Sequence, residues 1–336
     1  MNDNIKGYSV VILTHMPSDE LIFSLEKLLS QTILPKKIVI YNTDLIRFFK
    51  HITDRFKLEK LLYDNKDVVK LFHIDEKDFD HGRTRNDAVK HIDTEYVLFL
   101  TDDAVPYDKS LCENLLNAFD KYTDKEKVAT VYARQVAKQN AKLKEKYVRE
   151  FNYPEFDVIK DKNSEKELGI KNYFCSNVCA MYDVSIFNSV GKFEEDLILN
   201  EDTLYAYKVI NSGYKVVYSA DAVVLHSHNY TYREQFSRNF DIGVSHADNA
   251  YIFKSVKSYS EGKKLVIYVV KRLLKRLHIF MTLDFLIECV YRFLGFKKGI
   301  NYKSLTNEKC IKYAYNKKYF KGLSTNSIKV GSNLHI

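Results

Sequence analysis

Four short clusters in the 336-residue chain carry side chains that could do chemistry. Asp102 and Asp103 follow an apolar run at 96–100, and Pro106 closes the stretch. Adjacent carboxylates at such an edge repel one another and lose hydration unless a cation sits beside them. A divalent metal holding a diphosphate satisfies that need, and so does a solvated turn with an aspartate cap. Asn200-Glu201-Asp202 ends a glycine-containing loop and opens a helix whose apolar side runs through Leu204 and Val209. Acidic residues suit a helix N-terminus on dipole grounds alone, and a carboxylate there can also act as a general base. His226-Ser227-His228 follows another apolar run, and strand alternation puts both imidazoles on one side. Such a pair is either structural or a source of metal ligands. In 79–86, Gly82 permits a close approach, and Arg83 and Arg85 beside a helix start offer anion binding.

These clusters need a scaffold. Apolar runs at 8–13, 37–41, 68–74 and 96–100 read as strands. Between them, Leu21, Leu25, Leu28 and Leu29 define a helix within 18–31 that Ser18 or Asp19 can cap. Further helices are expected over about 44–63 and from Arg85 to His91. Alternating strands and helices, with strands apolar throughout, give an α/β fold with a mostly parallel central sheet. Ligands on such sheets sit at the carboxyl ends of the strands. That rule points to Thr14, to Asn42 and Asp44, to Asp75 onward, and to Thr101-Asp102-Asp103. A helix over 112–121 and a strand over 128–133 come next. The polar segment 138–172 reads as loose, with a flexible stretch at 160–166. Helices near 184–190 and over 201–212 and two strands, 215–218 and 222–225, complete this part. From Thr231 onward the chain reads as mainly helical.

Charge divides the chain. Residues 251–336 hold 18 Lys and Arg against 4 Asp and Glu, so this end carries +14 of a total of +8 and the remainder is −6. The basic end calls for an anionic partner. Helix-turn-helix, zinc-finger and aromatic–basic RNA motifs are all missing, which excludes nucleic acid. Basic pairs alternate with apolar pairs over 263–277, the pattern of a basic amphipathic helix. The run 278–296 contains Asp284, Glu288 and Arg292, which argues against a spanning helix. A helical basic region at 251–336 is therefore expected to attach to an anionic membrane surface. A helix packed with its basic face in water, or a homo-oligomer contact, is the alternative. Cys112, Cys175, Cys179, Cys289 and Cys310 are unevenly spaced, which fits free thiols in a reducing compartment better than disulfides or zinc. The first apolar run, at 10–13, reads as a strand and not as the core of a signal peptide.

Taken in order, Asp80-His81-Gly82-Arg83-Thr84-Arg85-Asn86, Thr101-Asp102-Asp103-Ala104-Val105-Pro106, Phe174-Cys175-Ser176-Asn177-Val178, Asp196-Leu197-Ile198-Leu199-Asn200-Glu201-Asp202 and His226-Ser227-His228-Asn229-Tyr230 resemble the family 2 inverting glycosyltransferases. The likeness is strongest to the rhamnosyltransferase branch that builds bacterial surface polysaccharides, and it covers about residues 8–250. It implies a GT-A fold, Rossmann-like, for 1–250, with nucleotide-sugar binding over about 8–135 and an acceptor and base part over about 136–250. It also implies transfer of L-rhamnose from dTDP-β-L-rhamnose to a saccharide or lipid-linked acceptor, with Mg2+ or Mn2+, by a cytoplasmic enzyme peripheral on the inner face of the plasma membrane. Residue by residue, Thr14, Asn42 and Asp44 match positions near the nucleotide base and ribose, and Arg83 and Asn86 match the donor-side loop. Asp103 matches the metal-contacting aspartate that ends the D-x-D motif, and His226 a position that completes the metal site. Asp202 matches the base, with Glu201 nearer the acceptor, and Asn177, Asn200 and His228 fall on the acceptor side. The first D-x-D position is Thr101 here, so either Asp102 substitutes in holding the donor, or Asp103 and the diphosphate hold the metal alone. A UDP-hexose or UDP-N-acetylhexosamine donor on the same fold is the nearest alternative. A binding protein that kept the fold without activity is the more distant one.

Overall fold

The computed structural model describes residues 7–253 and 259–326. The four expected apolar runs are β1 (Tyr8–His15), β2 (Lys37–Thr43), β3 (Val69–Ile74) and β4 (Tyr96–Thr101), joined by α1 (Glu20–Leu28), α2 (Arg55–Asp64) and α3 (His81–Val89). They lie parallel in the order β3-β2-β1-β4. Thr14 pairs in register with Asn42, and Leu13 with Thr101, so the carboxyl ends of β2, β1 and β4 finish level. Val10, Ile12, Ile38, Ile40, Leu98 and Leu100 bury one sheet face against Leu21, Leu25 and Leu28 of α1. Burying each such side chain contributes about 1.5–3 kcal/mol.

Two helix boundaries differ from the sequence reading, each because of a cap. Helix α2 starts at Arg55 and not near residue 44. Asp44 adopts a left-handed φ of 75°, and Asp54 caps α2 by accepting the Lys57 N–H at 2.9 Å. Helix α3 starts at His81, before Arg85, because Asp80 accepts the Arg83 N–H at 2.7 Å.

The sheet continues through β5 (Val105–Pro106), α4 (Leu111–Tyr122), β6 (Val128–Val136), α5 (Leu143–Asn152), β7 (Val158–Lys160), α6 (Glu165–Leu168), β8 (Cys179–Asp183), α7 (Val184–Ser189), α8 (Glu201–Asn211) and β9 (Lys215–Leu225). The full strand order is β3-β2-β1-β4-β8-β6-β9-β5, with β7 also on β9. Strand β8 runs antiparallel between β4 and β6. The two strands expected at 215–218 and 222–225 are one strand. Its register against β6 shifts from Ala133↔Ser219 to Arg134↔Val223, a bulge that lets β9 pair with β7 in one half and β5 in the other.

The segment expected to be loose contains α5, β7 and α6. Lys160, inside the stretch read as flexible, is buried, and its Nζ donates to the Tyr132 hydroxyl at 2.7 Å and to the Phe174 carbonyl at 2.5 Å. A lysine that anchors an edge strand has the same sequence signature as one in solvent. All five cysteines are free.

The described chain divides into two compact units: residues 7–195 with 201–228, and residues 196–200 with 229–253 and 259–326. The second is helical, as expected: α9 (Tyr232–Asp248), α10 (Ala250–Phe253), α11 (Tyr259–Lys275), α12 (Ile279–Ile300), α13 (Asn307–Tyr313) and α14 (Lys317–Asn326). A capping box between Thr231 and Glu234 starts α9. Glycines bring α9 and α12 into backbone contact. A Cβ on Gly299 would lie 2.0 Å from the Phe240 carbonyl, and one on Gly243 2.4 Å from that of Phe296. Among the described residues, no helix is long and apolar enough to cross a membrane.

Candidate active site

The carboxyl end of β4 releases Asp103, and the end of β9 releases His226 and His228. Antiparallel pairing of Val105 with Leu225 fastens these two ends together. The Asp103 Oδ2 lies 3.4 Å from His226 Nε2 and 3.2 Å from His228 Nε2. One ligand atom from each residue falls within 4.8 Å of the other two. Gln135, from β6, fixes the orientation of His226. Its Oε1 is 2.8 Å from His226 Nδ1 and also accepts from the Arg149 guanidinium, while its Nε2 donates to Ser176 Oγ at 2.9 Å. That oxygen can only accept, so the proton of neutral His226 sits on Nδ1, and Nε2 turns a lone pair towards Asp103. A lone pair facing a carboxylate oxygen is unfavourable without a proton or a cation between them. Burial pulls His226 below its ordinary pKa despite the hydrogen bond and charge of Asp103, which disfavours the proton. Burial would raise Asp103, but the hydrogen bond that a protonated His226 would donate and the charges of both histidines when protonated hold it well below the usual carboxylate range. One carboxylate with two imidazoles is a donor set that suits a divalent cation. Burial and the neighbouring Asp103 push Asp102 up to about 7, and it accepts the backbone N–H of His15.

A second centre adjoins the first through the loop before β8. Ser176 touches Gln135, and the next residue, Asn177, holds two carboxylates at the start of α8. The Asn177 N–H donates to Asp202 Oδ2 at 3.0 Å, and its Nδ2 donates to Glu201 Oε1 at 3.0 Å. The other side of Asp202 accepts the Thr203 N–H at 2.7 Å. Glu201 is paired with Arg85 of α3, Nη1 to Oε1 at 3.0 Å, and the two side chains are 9% and 4% exposed. Burial would raise Glu201, but Arg85, His81 and Asn177 outweigh it and hold the carboxyl low. Burial and the Glu201 charge drive Asp202 the other way, well above the usual carboxylate range. Two neighbouring carboxyls with pKa values forced apart are the arrangement that separates a structural charge from a working base.

Several residues expected to meet a ligand are turned to internal work. The Asn177 side chain is used at both ends, because its Oδ1 also accepts from the Tyr182 hydroxyl at 2.7 Å, so it positions the carboxylates. Thr14 and Asn42 are buried against each other at 2.9 Å, and Asn42 Nδ2 ties down the Asp44 carbonyl at 3.1 Å. The carboxylate of Asp44 is engaged by Arg47. Asn86 clamps the Phe193 backbone, donating to its carbonyl at 3.0 Å and accepting its N–H at 3.1 Å. Arg83 is half-exposed and pairs with Glu195 at 2.9 Å. Asn200, in the second unit, donates to Ser245 Oγ at 3.1 Å. His228, expected on the acceptor side, joins Asp103 because β9 alternation aims it the same way as His226.

Sequence reasoning missed Arg85 as the partner of Glu201 and Gln135 as the partner of His226. The strand-end rule applied to β6 would have reached Gln135. For Arg85, two helix positions apart from Arg83 means opposite sides of α3, but nothing local says which side is inside.

Residues 9–191 match the family model described as glycosyl transferase family 2. The chain is 36% identical over 307 residues to the O-antigen chain rhamnosyltransferase RfbN of Salmonella typhimurium, covering 91% of this chain and 93% of that one. It is 36% identical over 301 residues to the O-antigen chain rhamnosyltransferase WbaN of Salmonella anatum, covering 89% and 90%. Among solved structures, its fold resembles the mannosyltransferase PcManGT from Pyrobaculum calidifontis in complex with GDP-Man and Mn2+. There the TM-score is 0.56 at 13% identity, over 90% of this chain and 89% of that one, a likeness that bears on the fold alone.

Proposed function

The chain belongs to glycosyltransferase family 2, and from that premise we propose that it transfers L-rhamnose from dTDP-β-L-rhamnose to a saccharide or lipid-linked acceptor in the synthesis of a bacterial surface polysaccharide. The similarity to two O-antigen chain rhamnosyltransferases over about nine-tenths of both chains supports the sugar. The observation that carries the chemistry is the Glu201/Asp202 pair, with opposite pKa shifts, next to the Asp103/His226/His228 cluster.

Asp103, His226 and His228 would hold Mg2+ or Mn2+, which when bound neutralises charge on the departing diphosphate. Asp202 takes the proton of an acceptor hydroxyl. The hydroxyl oxygen bonds to the anomeric carbon from the face opposite the leaving group as the bond to the diphosphate breaks. Inversion turns the β-linked donor into an α-L-rhamnosyl product. The raised pKa of Asp202 makes it a stronger base than an ordinary aspartate, and proton transfer of this kind contributes about 10²–10⁴-fold. Glu201, held ionised by Arg85, supplies the charge that raises it. Asp44, Arg83 and Asp102 serve the donor side, with Thr14, Asn42 and Asn86 supporting them from behind. A nucleotide-sugar donor and five free cysteines fit a cytoplasmic setting at the inner face of the plasma membrane.

Incubation with dTDP-L-rhamnose, UDP-glucose, UDP-galactose and UDP-N-acetylglucosamine, each with Mn2+ or EDTA, tests the reading through released nucleotide. Turnover selective for dTDP-L-rhamnose and weakened by EDTA is expected. Turnover selective for a UDP-sugar would overturn the rhamnose assignment.

A further inference from the structure

Helix α12 buries Thr282, Glu288, Gly295 and Gly299 beside Phe285, and exposes a row of large apolar side chains. Asp284, Glu288 and Arg292, the charges that argue against a spanning helix in the sequence, turn towards α9. There Asp284 accepts from the Tyr232 hydroxyl, Gln235 Nε2 donates to Glu288 Oε1 at 3.0 Å, and Arg292 pairs with Glu288. Gly295 and Gly299 lie on the same side, against α9 backbone. The opposite side exposes Phe280, Leu283, Ile287, Val290 and Leu294, spaced i, i+3, i+7, i+10 and i+14, and Phe280 is 89% exposed. The 22 residues of α12 make a helix about 33 Å long, of which the stripe from Phe280 to Leu294 covers about 21 Å at about 1.5 Å per residue. An apolar strip of that length in water marks an interaction surface. Its ends are basic, with Lys275 and Arg276 before the helix and Lys297 and Lys298 in its last turn, all exposed.

We propose that the outer face of α12 inserts into the headgroup region of an anionic phospholipid bilayer and lies in its plane, with Lys275, Arg276, Lys297 and Lys298 on the lipid phosphates. Apolar side chains between basic ends complement a surface that is apolar within and negative at its rim, and an in-plane helix needs no crossing segment. This assigns the inserting surface to α12 and leaves the basic helix expected at 263–277 a flanking role. It rests on the peripheral reading above but on neither the sugar nor the base.

The chain has no tryptophan, so one introduced on this face is the sole indole probe. Full-length Leu294→Trp and Phe280→Trp proteins are mixed with phosphatidylglycerol-containing vesicles, phosphatidylcholine vesicles or buffer. A blue shift and quenching by brominated lipid only with anionic vesicles is expected, together with flotation lost in an Ile287→Glu/Leu294→Glu variant whose thermal melt and nucleotide release stay unchanged. Emission insensitive to anionic vesicles overturns the proposal. So does emission already blue-shifted in buffer and rising with protein concentration, because a second copy then covers the face. Either failure leaves donor turnover in solution untouched, which separates it from a failure of the transferase reading.

Discussion

Replacing Arg85 by methionine removes the cation of a buried ion pair and leaves Glu201 hydrogen-bonded to the Asn177 amide. Breaking a buried pair by deleting one member costs about 3–5 kcal/mol, because the remaining charge is stranded. For a unit of this size, about 2–4 °C per kcal/mol turns that into a loss of roughly 6–20 °C in Tm. The pH dependence gives the sign. In the wild type Glu201 is held below its ordinary pKa, so its contribution is present above the unfolded value and lost as pH falls through the folded one. In Arg85→Met burial is opposed only by His81, Asn177 and the local backbone, the carboxyl rises, and the penalty is relieved as the group protonates. The Tm gap between the two proteins should therefore shrink as pH falls and the stranded carboxyl protonates. The double variant Arg85→Met/Glu201→Gln strands no charge and should recover most of the loss. Differential scanning fluorimetry across pH reads all three proteins. A gap that stays constant or widens as pH falls, or a double variant no better than the single, would refute the pairing as the source of the Glu201 charge.

Other expectations follow from the same contacts. Gln135→Met removes the acceptor that sets the His226 tautomer, so Mn2+ affinity followed by electron paramagnetic resonance should fall about 10–100-fold. Gly82→Ala puts a Cβ 2.0 Å from the Glu194 carbonyl, and denaturant unfolding should show about 1–3 kcal/mol of lost stability. As the proposed base Asp202 must be ionised to act, and its pKa is raised to about 7, so kcat should be lost as pH falls through that region and not near pH 4. An acid limb at the ordinary carboxylate pKa would contradict this.

The parallel half of the sheet was legible because β1, β2 and β4 are buried on both faces and write continuous apolar runs. The strand-end rule then led to Asp102 and Asp103, and the alternating pair after another apolar run to His226. What stayed hidden depends on pairing across long separations: Arg85 meets Glu201 116 positions away, and Gln135 meets His226 91 away. A bulge made β9 look like two strands, and a cap moved α2. The charges of α12 were visible and argued against a spanning helix, but the side of the helix they occupy is fixed by its contacts with α9.

Asp202→Asn tests the central claim most directly. The amide keeps the size and its one oxygen can still accept one of the Asn177 and Thr203 N–H groups, which reach different oxygens of the carboxylate, but it cannot take a proton at neutral pH. Thermal stabilisation by dTDP-L-rhamnose and Mn2+ should persist, while transfer to acceptor falls by about 10²–10⁴-fold. A variant that still transfers at close to the wild-type rate would contradict the assignment of Asp202 as the base.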